Sequence, residues 1–227
     1  MSVPDTDNSG HRARLRKRLL AAGDAALSDH ELIEYLLTLA IPRRDVKPLA
    51  KRLLNQFGGL AGLLAADATS LTKVDGMGES SAAAIRIVQA VLTRRLQGEV
   101  MRRPVLSNWQ ALIDYLNADL AGRTIEQFRV LHLNTRNELI NDQKMAEGTV
   151  DQAAVHVREV IRGAMEAGAT AMILVHNHPS GDPAPSRADI DMTRRIADAA
   201  KRLDIAVHDH VIIGAKGHSS MRAMGLI

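Results

Sequence analysis

The spacing of apolar residues changes at about residue 127, and that change governs what the chain can fold into. Before it, apolar positions recur at the three- and four-residue intervals of helices. Ser28-Asp29-His30-Glu31 has the capping-box pattern, and Leu32, Ile33, Leu36, Leu37 and Leu39 then make a helix face that Pro42 ends. Helices are also predicted over about 45–57, stopped by Gly58-Gly59, near 60–65, and over 80–96. Ser107-Asn108-Trp109-Gln110 repeats the capping-box pattern ahead of a helix to about Leu120. After it, 128–133 and 138–145 read as strands around the turn Asn134-Thr135-Arg136-Asn137, and 170–176 and 205–213 as short buried strands. Helices over 153–166 and 186–203 separate them. The expected architecture is a small all-α domain over 1–100 followed by an α/β domain over 104–227. The polar, Gly- and Pro-containing stretch 98–104 is the expected linker.

Composition limits the chemistry. There is no cysteine, which removes disulfides, thiol catalysis and every Cys-containing zinc site. Any metal must sit on His, Asp and Glu. Tyr35, Phe57, Trp109, Tyr115 and Phe128 are the only aromatic rings besides histidine, too few for a base-stacking platform. The opening MSVPDTDNSG is polar, unlike a secretory signal, and the longest apolar stretch, 32–41, is short and interrupted by Glu34. A cytoplasmic protein without a membrane span is expected.

Charge is uneven. Residues 1–103 carry 16 Lys/Arg against 11 Asp/Glu, and residues 104–227 carry 13 against 15. The basic run His11-Arg12-Ala13-Arg14-Leu15-Arg16-Lys17-Arg18 follows a polar, disordered-looking start and reads either as a solvated helix or as a phosphate contact. Val74-Asp75-Gly76-Met77-Gly78 lies between two helical segments and, with Phe57-Gly58-Gly59-Leu60 before it and 82–85 after it, resembles a helix-hairpin-helix module. Such a module grips a DNA phosphate through backbone amides without reading bases. Gly76, Gly78 and Arg86, with Arg94 and Arg95 near, are the candidate DNA contacts. The other reading is a helical turn that uses glycines for close packing, and Glu79 beside Gly78 disfavours an anion.

The strongest pattern is His176-Asn177-His178-Pro179-Ser180-Gly181-Asp182, followed by Ser186 and Asp189. Residues i and i+2 at a strand end point to one side, so His176 and His178 can converge on one ion. Asp189, in the first turn of the next helix, can supply a third ligand when the Pro/Gly loop folds back. Two imidazoles and one carboxylate leave the fourth position of a tetrahedral zinc to water, the catalytic pattern. Taken separately, H-x-H also occurs by accident at strand ends, and Ser186 with Asp189 also fits an ordinary helix N-cap pair. His208-Asp209-His210 is a second H-x-H on an apolar strand without a third ligand. It reads as structural, with His210 placed to donate a hydrogen bond near the sheet end.

The whole constellation resembles the JAMM motif of the MPN (JAB) metallopeptidases. The bacterial RadC family is the nearest resemblance, carried by Leu133-Asn134-Thr135-Arg136-Asn137, Gly148-Thr149-Val150-Asp151, Arg158-Glu159-Val160, the string 176–182 and Asp209-His210-Val211-Ile212-Ile213-Gly214. It extends over roughly 11–227, with Val157 in place of an expected proline. The resemblance implies an MPN/JAB-like, cytidine-deaminase-like layered sheet with helices, and Zn2+ on His176, His178 and Asp189. Ser186 would stabilise the water or the oxyanion, and an upstream glutamate would act as general base. Glu126 best matches that position, with Glu147 and Glu159 as competitors. The implied reaction is hydrolysis of a peptide or isopeptide bond in a peptide or protein substrate. The alternative is a DNA-associated repair or recombination accessory protein whose JAMM half is a non-catalytic scaffold. No H-E-x-x-H, G-x-x-x-x-G-K-[ST] or P-C-x-x-C is present, which argues against thermolysin-type proteases, P-loop ATPases and zinc deaminases.

Overall fold

The helical half of the chain is built on aliphatic side chains. In the computed structural model, residues 8–101, 103–148 and 155–227 are described. The polar start over 1–7, the Thr149-Val150-Asp151 part of the family pattern and the expected helix start at 153 lie outside them. Residues up to Ala90 and residues from Val91 onward form two separate units. The first holds α1 (Asn8–Ala22), α2 (Asp29–Ala40), α3 (Lys47–Phe57), α4 (Leu60–Ala65), α5 (Ala68–Thr72) and the start of α6 (Glu79–Val100). The basic run lies inside α1. Its Leu15 is buried, and the arginines and lysine around it are mostly exposed. Ser28 and Glu31 form the expected capping box of α2. Gly58 ends α3 with φ +72, a left-handed turn open to glycine. Ile33, Leu37, Leu49, Leu53, Leu63, Leu71 and Ile85 are the main side chains of this core.

The expected break at 98–104 falls differently. Helix α6 runs unbroken through Gly98, and Val100 and Val105 are both buried in the second core. One interior glycine costs a helix only about 1 kcal/mol, and burying Val100 offsets that. Ser107 also fails to cap. It sits in a 3-10 turn (Val105–Ser107), its hydroxyl donates to the Pro104 carbonyl, and Asn108 becomes the N-cap of α7 (Trp109–Leu120).

The second unit continues with β1 (Glu126–Leu133), β2 (Leu139–Gly148), α8 (Val157–Glu166), β3 (Ala171–Asn177), α9 (Arg187–Lys201), β4 (Ala206–Gly214) and β5 (Gly217–Ser220). The strands form one sheet in the order β2-β1-β3-β4-β5. Only β3 and β4 run parallel, joined through α9. The two sheet faces are covered by different helices. Leu112, Ile113, Leu116 and Leu120 of α7 pack on Leu131, Leu133, Ile173, Val175, Val211 and Ile213. Val160 and Ala164 of α8 and Ile196 and Ala200 of α9 pack on Phe128, Val130, Met172 and Leu174. Strand β3 is buried along all seven residues, which accounts for its continuous apolar run. No helix among the described residues is long and apolar enough to cross a membrane.

Candidate metal centre

The last residues of β3 deliver the histidines. His176 is 1% exposed, and His178, just past the strand, stays in register because its N–H donates to the Ile213 carbonyl of β4 at 2.8 Å. The chain then turns back through Gly181, at φ +82, whose N–H bonds the His178 carbonyl at 2.9 Å. The loop lies flat on the β4–β5 turn: Lys216 N–H donates to the Gly181 carbonyl at 3.0 Å, and a Cβ on Gly214 would lie 2.4 Å from that oxygen. Folding back brings the start of α9 to the strand end.

Ser186 is the N-cap of α9, and Asp189 is its third residue. The Asp189 N–H donates to Ser186 Oγ at 3.1 Å, and Asp189 Oδ2 accepts from the Ser186 hydroxyl at 2.6 Å and the Ser186 N–H at 2.7 Å. Both readings of the S-x-x-D pattern therefore coexist, since the cap that starts the helix also aims the carboxylate. His176 Nε2 and His178 Nε2 face each other at 2.9 Å. Asp189 Oδ1 lies 3.4 Å from the first and Oδ2 3.6 Å from the second. One donor atom from each of the three side chains falls within 4.8 Å of the others, and this is the one such His/Asp/Glu group among the described residues. Burial of Asp189 would raise its pKa, but the hydrogen bond and charge of His176, with the bonds from Ser186, hold it well below the usual carboxylate range.

The protons at this centre fit a cation. His178 Nδ1 lies 2.8 Å from the Asp182 main-chain oxygen, which has no proton, so Nδ1 donates and a neutral His178 has a bare lone pair at Nε2. Behind His176, its Nδ1 lies 2.8 Å from His210 Nε2, the second H-x-H contact expected at this strand end. Burial pushes the His210 pKa well down, and nearby His176 adds to the fall. Phe128 stacks beside His176 at 6.4 Å between centroids and meets His210 edge-on at 5.7 Å, closing the apolar floor.

Glu126 is placed by strand register. Phe128 pairs with His176 in the antiparallel β1–β3 ladder. The ladder ends at that pair, and Glu126 stands two residues further out at the start of β1. Alternation puts Glu126 on the Phe128 and His176 face of the sheet. Asn177, 1% exposed, grips both sides of Glu126: its Oδ1 accepts from Gln127 N–H at 2.9 Å, and its Nδ2 donates to the Ile125 carbonyl at 3.1 Å. Among the described residues no side chain bonds the Glu126 carboxylate. The competitors are engaged elsewhere. Glu147 pairs with Gln127, hence faces α7, and is held by Lys144 at 2.5 Å. Glu159 is ion-paired to Arg162 and to Arg158.

Three participants escaped the sequence reading: Asn177, Thr193 and the Asp182 carbonyl. Thr193 stands four residues after Asp189, hence on the same helix face, and that spacing was an available signal. His208 bonds Asn137 at 2.6 Å, away from the centre.

In the first unit, the Gly78 N–H, an expected phosphate donor, is taken by Ser81 Oγ at 2.8 Å. Arg86 Nη1 donates to the Ala66 carbonyl at 3.2 Å. Gly76, at φ +90, has the Arg44 guanidinium against it, 3.0 Å from where a Cβ would stand.

Residues 106–226 match the family model described as RadC-like JAB domain. Residues 8–83 match the one described as UPF0758 N-terminal.

Proposed function

Because the chain belongs to the RadC-like JAB domain family, we propose that it is a zinc-dependent hydrolase of peptide or isopeptide bonds. The observation that carries this reading is the pair of Nε2 atoms at 2.9 Å with Asp189 carboxylate oxygens 3.4 and 3.6 Å away. Two imidazole nitrogens and one carboxylate suit zinc with an open position, and the donor set contains no competing sulfur. Zinc held there supplies Lewis acidity, acidifying a water and polarising a carbonyl.

The chain's own residues do the rest. Glu126, on the same sheet face as His176, takes a proton from the attacking water and returns it to the leaving amine. Ser186 donates to Asp189 at rest and turns that hydroxyl to the oxyanion as the carbonyl is attacked. The reading is of an enzyme of the cytoplasm.

The purified protein is expected to bind about one zinc per chain. His176→Ala and Asp189→Ala each remove one of three protein ligands and should lose it, as read by elemental analysis. Glu126→Gln should keep the zinc and lose hydrolysis of a peptide or isopeptide panel by about a hundredfold or more. A wild type that takes up no zinc would favour the scaffold reading.

The basic half supports a separate proposal, contact with DNA phosphates. With the Gly78 amide occupied, the support moves to the arginines: Arg44 lies on Gly76, and Arg12 donates to the Arg44 carbonyl at 2.6 Å. Full-length protein should retard duplex DNA at low salt, with affinity falling steeply as salt rises. Arg44→Ala should weaken it, and no retardation at tens of micromolar protein would reject the contact.

A further inference from the structure

One short chain of hydrogen bonds backs His176, and its protons can be placed one at a time. Thr193 Oγ1 stands 2.6 Å from the Asp189 main-chain oxygen. A carbonyl brings no proton, so the hydrogen between the two oxygens belongs to Thr193. That hydroxyl has no second hydrogen for His210, whose Nδ1 stands 2.5 Å away. His210 Nδ1 therefore carries a hydrogen and donates to Thr193. His210 is 1% exposed and its ring, bonded to His176 and Thr193, is hydrogen-bonded to no carboxylate among the described residues, conditions that keep an imidazole neutral. Its Nε2 is then a lone pair, and His176 Nδ1 donates to it across 2.8 Å. His176 is left with its hydrogen on Nδ1 and an open lone pair on Nε2, the atom that faces His178 and Asp189.

We infer that Thr193 and His210 are positioning residues that set the tautomer of His176 and so keep its Nε2 free for a metal. The inference rests on the reading of this cluster as a metal centre. Its direction is set by the far end of the chain. With no acceptor at position 193, His210 would bury an unpaired Nδ1–H, which costs stability. Moving that hydrogen to Nε2 trades the unpaired N–H for an unpaired lone pair, the less costly of the two, and His210 then donates to His176 Nδ1. His176 must in turn carry its own hydrogen on Nε2, where a metal would bind. Each ring keeps one hydrogen throughout, and only its position changes. A hydroxyl that touches no metal thus decides whether the site is open. The main-chain oxygen that orients this hydroxyl belongs to Asp189, the third member of the cluster, so the strand bearing His176 and the helix bearing Asp189 meet in one network.

Thr193→Val removes the acceptor at nearly constant volume, and Thr193→Ser retains it. Ring nitrogen-15 shifts of His176 in the metal-free protein near pH 8 report the tautomer directly. Wild type and Thr193→Ser should show the Nδ1–H form, and Thr193→Val the Nε2–H form. Zinc affinity, measured by competition with a chromophoric chelator, should fall about ten- to a hundredfold in Thr193→Val and change little in Thr193→Ser. An Nε2–H form of His176 in wild type overturns the inference. So does a folded Thr193→Val with wild-type zinc affinity. If Thr193→Val does not fold, the ring shifts of wild type and Thr193→Ser still decide. A wild type that binds no zinc sinks the metal reading alone, because the tautomer is read without metal.

Discussion

Asn177 stands between the two histidines, yet its side chain serves a different strand. Its amide holds the main chain on both sides of Glu126. Asn177→Ala would leave Gln127 N–H and the Ile125 carbonyl unpaired, at about 1–3 kcal/mol of stability. The strand end carrying Glu126 would loosen while His176, His178 and Asp189 stayed together. The expected outcome is unchanged zinc content with kcat down about tenfold to a hundredfold, since a 1 Å misplacement costs on that order. Equal loss of zinc would mean that Asn177 supports the histidines instead. The His176, His178 and Asp189 grouping was legible in the sequence because each position follows from a local rule, strand parity for the histidines and the third place of a capped helix for the aspartate. The partners of Asn177 and the contact of Thr193 with His210 were not, because those partners lie on other elements, and only sheet register and helix packing say which ones.

At the scale of elements, the loop over 178–185 depends on a glycine that belongs to neither histidine nor helix. Gly214, the last residue of β4, lies under the Gly181 carbonyl with no room for a methyl group. Gly214→Ala should lift the loop off the β4–β5 turn and spread His178 and Asp189 away from His176. Zinc affinity is expected to fall by about tenfold or more, with circular dichroism near wild type. Retained affinity would mean that the loop yields elsewhere. The order of strands and helices from β1 to β4 could be read from apolar runs and their lengths. The hairpin β4–β5 could not, because Gly217-His218-Ser219-Ser220 has no apolar alternation and is a strand only through its pairing with 211–214. Helix α5 (Ala68–Thr72) was missed for a related reason: it is a single turn, held by Asp67 accepting from Ser70 N–H and by burial of Leu71.

Acid should destabilise the whole molecule in two stages. His132 and His208 have pKa values lowered by burial, so both resist protonation in the folded chain. The unfolded chain protonates them below about pH 6.5, so stability falls as pH drops through that value. Glu31 and Asp67 act later. The hydrogen bond from Arg18 holds Glu31 at about 2, and the hydroxyl of Ser70 lowers Asp67. Their support is complete above the usual carboxylate range, about pH 4, and disappears as pH falls toward the folded values. Calorimetry from pH 8 to pH 3 should show Tm declining first near pH 6 and again near pH 4. His132→Gln should shrink the first decline and leave the second. A flat Tm between pH 8 and 5 would contradict this account.

The ladder between β1 and β3 also acts as a measuring stick. Glu126 stands two residues before Phe128, the partner of His176, so strand parity and the count of residues set which face of the sheet it takes and how far along the strand it sits. Repacking the aliphatic core leaves that placement alone. A one-residue deletion in β1 after Glu126 does not, because it turns Glu126 toward α7 and puts Ile125 in its place on the site's face. The chain can therefore vary widely in the side chains beneath the site, but hardly at all in the count of residues leading into it.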